Sequence, residues 1–184
     1  MLLFSDEMIK LNAFSFKIMH FERNWEGFVE PHHYPAHSLI STGTHDLPSY
    51  IGFYKELDLD LAKKMKTISL EQYHEHKENR KIEKELFIKS FEKQGFELTQ
   101  SKKSSEQEVP NWFIPCVYKY LSLTNSKILL IRPEDVFEMN EQFNLPGTYL
   151  EYPNWRHKLP VFLEEMLTDK RLKNIVGIVK NYRD

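Results

Sequence analysis

Short apolar runs separated by long amphipathic stretches set the pattern of this chain. Ala13–Phe21 (AFSFKIMHF) is dense in aromatic and aliphatic residues and predicts a buried strand. Ser38–Thr44 predicts a second, shorter strand. Lys127–Ile131 (KILLI) predicts a third, closed by Arg132-Pro133. Between the first two, EGFVEPHHYPAH predicts a loop, because Pro31 and Pro35 exclude regular structure. Asp46-Leu47-Pro48 reads as a helix start, with Asp46 available as the cap and Tyr50–Tyr54 continuing the helix. Asp58–Lys66 predicts another short helix. Ser69–Gln94 predicts a long one, with Ile82, Leu86, Phe87 and Phe91 at helical spacing and Gly95 as its stop. Ser101–Val109 is polar and loop-like, and Asn111–Leu123 predicts a helix carrying Trp112, Val117 and Tyr120. Asn144–Asn154 (NLPGTYLEYPN) is too rich in turn residues to be regular. Trp155–Leu167 and Lys170–Lys180 are expected to close the chain as helices.

Helices between short buried strands indicate α/β architecture with a parallel sheet. Three strands are few for this much helix. No internal repeat or linker divides residues 1–184, which are expected to form a single partial domain.

Composition narrows the function classes. A formal net charge of −2 gives no electrostatic case for nucleic acid or a membrane surface. The single cysteine, Cys116, excludes an intrachain disulfide and suits a reducing cytosol, so a cytoplasmic location is expected. The start MLLFSDEMIK lacks the basic segment of a signal peptide, and no apolar run reaches the roughly 18 residues of a membrane span. Aromatic residues make up 14% of the chain, enough either to fill a core or to stack on sugar rings.

The candidate chemistry starts at His37–Pro48, HSLISTGTHDLP, where a buried strand ends in His45-Asp46 before a Leu-Pro break. An imidazole and a carboxylate at a strand's C-terminal tip stand where (β/α)8-barrel enzymes carry their chemistry. The competing reading is that Asp46 only caps the following helix. A second block runs from Arg132-Pro133-Glu134-Asp135 to Asn154-Trp155-Arg156. Its NLPGT turn can hold a ligand or be ordinary turn chemistry. No metal site is assigned. His32, His33 and His37 share a loop, His74 and His76 at i, i+2 do not share a helical face, and HEHKEN lacks the HExxH spacing. Cys116 reads as buried and inert.

Taken together, STGTHDLPSYIGFY and ILLIRPEDVFEMNEQFNLPGTYLEYPNWRHKL resemble the C-terminal part of the amylomaltases. These are the 4-α-glucanotransferases of glycoside hydrolase family 77, in the α-amylase superfamily. SFKIMHFER looks like the strand that precedes the family's THDLP segment. The resemblance runs from about Asp6 to the last helix and is weakest between Ser69 and Val109. His157 departs from the second Arg of the family's NWRRK.

The resemblance implies the C-terminal part of a (β/α)8 barrel, an incomplete one. It implies retaining transfer of α-1,4-glucan segments to an acceptor 4-hydroxyl, with an Asp nucleophile, a Glu acid/base and a third Asp. Asp46 matches that third Asp as a transition-state stabiliser, and His45 the sugar-contacting His beside it. Asn144, Pro146, Gly147 and Thr148 match a substrate loop. The RIDH-type and GEDLG-type segments that carry the nucleophile and acid/base do not occur in the 184 residues, and Glu7 is no substitute. The chain is therefore not expected to turn over alone. No cofactor is implied. The implied partners are a maltooligosaccharide or α-glucan substrate, as in glycogen and maltodextrin metabolism, and an N-terminal half that completes the barrel. The alternatives are half of a split enzyme, or a non-catalytic glucan-binding or interaction fragment.

Overall fold

The computed structural model describes residues 7–98 and 108–183. Asp6 and residues 101–107 of the expected polar loop lie outside them. The sheet has the order β1-β4-β5, from β1 (Ser15–Ile18), β4 (Ser38–Ser41) and β5 (Ile128–Leu130), all parallel. The three expected strands are present, each shorter than the apolar run that announces it. After β1 the chain tightens into a 3-10 turn at Met19–Phe21. A small hairpin follows, β2 (Arg23–Asn24) with β3 (Gly27–Phe28), whose second strand falls at the start of the expected loop. The Asn24 side chain closes it by accepting from Glu26 N and Gly27 N.

The helices pack on one face of the sheet. They are α1 (Tyr50–Tyr54), α2 (Leu57–Lys64), α3 (Leu70–Lys93), α4 (Phe113–Ser122), α5 (Pro133–Val136), α6 (Leu163–Met166) and α7 (Lys170–Tyr182). A capping box starts α3: Gln72 N donates to Ser69 Oγ at 3.1 Å, and Ser69 N to Gln72 Oε1 at 2.9 Å. Its C-terminal half buries Leu86, Phe87 and Phe91 as expected, but Ile82 is exposed. In its place the inner face holds Arg80, whose guanidinium lies 3.8 Å from the Phe53 ring centre and bonds both Asp58 oxygens, at 2.9 and 2.7 Å. The aromatic residues go largely to the core, where Tyr50, Phe53, Phe87 and Phe113 meet at ring spacings of 5.1–6.0 Å. Cys116 is buried there, which pushes its thiol pKa up.

Register puts Lys17, Ile40 and Leu129 on the helix side of the sheet. The opposite face carries Phe16, Leu39 and Ile128 in one row and Ile18, Ser41 and Leu130 in the next. Among the described residues no helix covers that second face: Phe16 is 52% exposed, Ile128 40% and Leu130 44%.

The expected helix over Trp155–Leu167 is corrected to a single turn, α6. Trp155 has φ +62°, outside the helical region, and Pro160 has no N–H for a helical ladder. Among the described residues no helix is long and apolar enough to cross a membrane.

Candidate active site

Parallel strands bring their C-terminal ends to one rim, and two loops meet there. The loop after β4 is pinned at both ends by one fully buried carboxylate. Asp135 Oδ2 accepts from Thr42 Oγ1 at 2.6 Å, and its Oδ1 accepts from Tyr50 N at 2.6 Å. Between these pins Arg132 donates to Leu47 O and Pro48 O, both at 3.3 Å. Its guanidinium lies where a side chain on residue 43 would be: a Cβ built on Gly43 would stand 2.5 Å from Nη1. Thr44 shapes the bend, accepting from Leu47 N at its carbonyl and from Asp46 N at its hydroxyl. His45 and Asp46 stand at the outer edge of this braced loop.

Asp46 does not cap the following helix. Ser49 does, accepting from Gly52 N at 3.0 Å while donating to Met139 O. Leu47 and Pro48 separate Asp46 from that cap, so its carboxylate is available for other contacts. Asn144 Nδ2 donates to Asp46 Oδ1 at 2.6 Å, and His45 Nε2 lies 3.4 Å from the same oxygen. Among the described residues, every contact to this carboxylate falls on Oδ1, and the side chain is 45% exposed. Gln142 Nε2 bridges the two loops, donating to Asp46 O at 2.8 Å and to Asn144 O at 2.7 Å.

The NLPGT segment is a hydrogen-bonded turn with Pro146 and Gly147 at its centre. Thr148 N donates to Leu145 O at 3.3 Å, and Gly147 has φ +82°, which glycine adopts without strain. Asn154 closes the segment from the far side: its Oδ1 accepts from Leu145 N at 2.8 Å and its Nδ2 donates to Thr148 O and Oγ1. Trp155 follows in the left-handed conformation, 63% exposed, its ring 4.8 Å from His45. A depression of about 320 Å³ beside it is lined by Asn144, Thr148, Tyr149, Leu150, Trp155 and Arg156, among others. A larger cavity, about 620 Å³, lies among α1, α4 and α7, and none of the six sequence-predicted residues lines it.

Three of those six residues therefore meet: His45, Asp46 and Asn144. Pro146 and Gly147 form the exposed tip of the turn. Thr148 points its hydroxyl inward, donating to Leu145 O at 2.7 Å. Sequence reasoning missed Gln142 and Asp135 as braces, and Trp155 as the aromatic surface beside His45. All three lie in the Arg132–Arg156 block that the sequence marks for chemistry, but no contact with the His45-Asp46 loop is legible there for any of them.

A model of the 4-alpha-glucanotransferase family matches residues 4–164. The 4-alpha-glucanotransferase of Haemophilus influenzae is 27% identical over 169 residues, covering 89% of this chain and 24% of that protein. The 4-alpha-glucanotransferase of Mycobacterium tuberculosis is 26% identical, covering 77% of this chain and 20% of that protein. The crystal structure of amylomaltase from Corynebacterium glutamicum superposes with a TM-score of 0.83 at 17% identity, over 99% of this chain and 27% of that one. That likeness supports the fold, a three-stranded α/β portion of a larger barrel. The chain spans about a quarter of the length of the relatives it matches.

Proposed function

This chain belongs to the 4-alpha-glucanotransferase family, and on that premise we propose that its Asp46 rim handles the sugar at the bond being transferred in an α-1,4-glucan. The observation that carries the reading is the Asp46 carboxylate at the end of β4, with one oxygen held by Asn144 and its backbone held by Gln142. A carboxylate fixed in this way meets ring hydroxyls without reorganising. Hydrogen bonds to those hydroxyls strengthen as positive charge builds on the sugar, which lowers the barrier. His45 offers a second contact to the same ring. Trp155 offers an apolar surface on which a sugar ring can lie. Asn144, Pro146, Gly147 and Thr148 form the loop edge along the glucan, with Thr148 shaping it from inside.

Retaining transfer needs a nucleophile and an acid/base as well. The chain carries neither an RIDH-type nor a GEDLG-type segment, so it supplies one of the three carboxylates. Turnover then requires the remaining barrel units, for which the uncovered sheet face is the matching surface. The reaction needs no cofactor.

The test is a maltoheptaose titration followed through the Trp155 indole and His45 imidazole NMR signals. Both signals should shift, and Asp46→Asn should weaken the response about tenfold or more. Shifts absent at both positions would contradict the reading. The second reading, a glucan-binding module without transfer, rests on the exposed Trp155, Tyr149 and Leu150. It predicts the same binding but no turnover when the rest of the barrel is supplied.

A further inference from the structure

The loop between β3 and β4 carries three histidines, and the structure separates them. His37 stacks on Phe14 with ring centres 4.2 Å apart. Glu30 takes its place beside the other two: Glu30, His32 and His33 each offer one ligand atom, and these atoms all lie within 4.8 Å of one another. His32 Nδ1 is 3.5 Å from Glu30 Oε2, and the two imidazole rings are 4.0 Å apart.

The backbone beneath them is braced. Pro31 opens a 3-10 turn over Pro31–His33. His33 N donates to Glu30 O at 2.9 Å and Tyr34 N to Pro31 O at 3.3 Å. Asn125, just beyond α4, donates from Nδ2 to His32 O at 2.8 Å. Pro31 and Tyr34 are buried while His32 and His33 are exposed, so the turn is anchored below and open above.

We propose that Glu30, His32 and His33 form a binding site for a divalent transition-metal cation of the Zn2+ class. Two imidazole nitrogens and one carboxylate oxygen are the donor set such ions take, whereas Mg2+ and Ca2+ take oxygen ligands. Around a tetrahedral ion with bonds of about 2.0–2.1 Å the donors stand roughly 3.4 Å apart. Side-chain rotations close the remaining gap without moving the braced backbone, and water completes the coordination. One group opposes the ion: the Lys93 ammonium pairs with Glu30. That lysine is well exposed, so it can swing away and leave Glu30 to the metal. The site does not depend on the glucan reading of the Asp46 rim, since it shares no residue with it.

The test is calorimetric titration of the 184-residue chain with Zn2+, with circular dichroism confirming that each variant stays folded. Glu30→Gln, His32→Ala and His33→Ala should each weaken binding about tenfold or more. Lys93→Met should tighten it severalfold by removing the competitor. His74→Gln, on the exposed side of α3, should leave it unchanged. Absence of Zn2+ binding, or an affinity unaltered in all three trio variants, overturns the proposal.

Discussion

At the residue scale, Asp46 is both presented and restrained. Asn144→Ala removes the donor on Oδ1 but keeps the loop closure made by Asn154. In an assembled, active enzyme it should lower kcat by about tenfold to a hundredfold, the usual effect of misplacing a reacting contact. Steady-state kinetics on maltotriose check this. His45 and Asp46 were legible in the sequence because they are adjacent and end an apolar run. Gln142 and Asn144 were not legible as partners of Asp46, because about a hundred residues separate them and no periodicity links them. A second prediction concerns His20, largely buried between Phe53 and the Arg23–Glu83 pair. Burial first, then the Arg23 charge, hold its pKa down at about 4, from an ordinary 6.5; Arg80 also lowers it, while Glu83 and Asp58 oppose. The unfolded chain takes up this proton near pH 6.5 and the folded chain only near pH 4. The stability of the neutral buried ring is therefore complete above about pH 6.5 and is lost progressively as pH falls to about 4, by about 3 kcal/mol in total. Urea unfolding between pH 4 and 7 should show this slope, and His20→Phe should flatten it.

At the element scale, Asp135 joins three pieces that the sequence presents separately: the end of β4, the start of α1 and helix α5. The RPED segment reads in the sequence as acids at a helix start. That reading explains Glu134 but not Asp135, whose partners Thr42 and Tyr50 lie 93 and 85 residues away. Asp135→Ala strands a hydroxyl and a backbone N–H in the core. It should cost about 3 kcal/mol in denaturant unfolding, with Asp135→Asn losing less because one acceptor remains. The long helix α3 was the most legible element, since its length, the spacing of Leu86, Phe87 and Phe91 and its glycine stop agree with the structure, and only Ile82 departs by facing solvent. The stretch after Trp155 was the least legible. Its apolar residues Phe162, Leu163 and Leu167 suggest a helical face, yet all three are exposed and only one turn forms. Periodicity predicts a helix where a packing partner covers the apolar stripe, and among the described residues nothing covers this one.

At the scale of the whole molecule, the sheet is finished on one side only. The helices cover the face bearing Ile40. The face bearing Phe16, Ile128 and Leu130 is open, and β1 and β5 each have one unpaired edge among the described residues. In a (β/α)8 barrel this face is filled by side chains from the other strands. Isolated in water, such a face and such edges favour association. The 184-residue chain should therefore self-associate as its concentration rises in sedimentation experiments. Phe16→Thr with Leu130→Thr should reduce that association while changing stability little, because both side chains already stand about half in water. A monomer at all concentrations with one cooperative melting transition would count against this. The fold class was legible from three apolar runs and the helices between them. That the sheet is only part of a barrel was legible from counting strands.

Asp46 is proposed to serve glucan transfer as one carboxylate of three. The most direct measurement is glucose release from maltotriose by the chain alone, and by the chain mixed with a polypeptide carrying the N-terminal barrel units, each with wild-type Asp46 and with Asp46→Asn. No release is expected from the chain alone, and release is expected from the mixture. Asp46→Asn should then cut the mixture's rate by about 10²–10³-fold or more. Release by the chain alone, or a mixture whose rate is indifferent to Asp46, would contradict it.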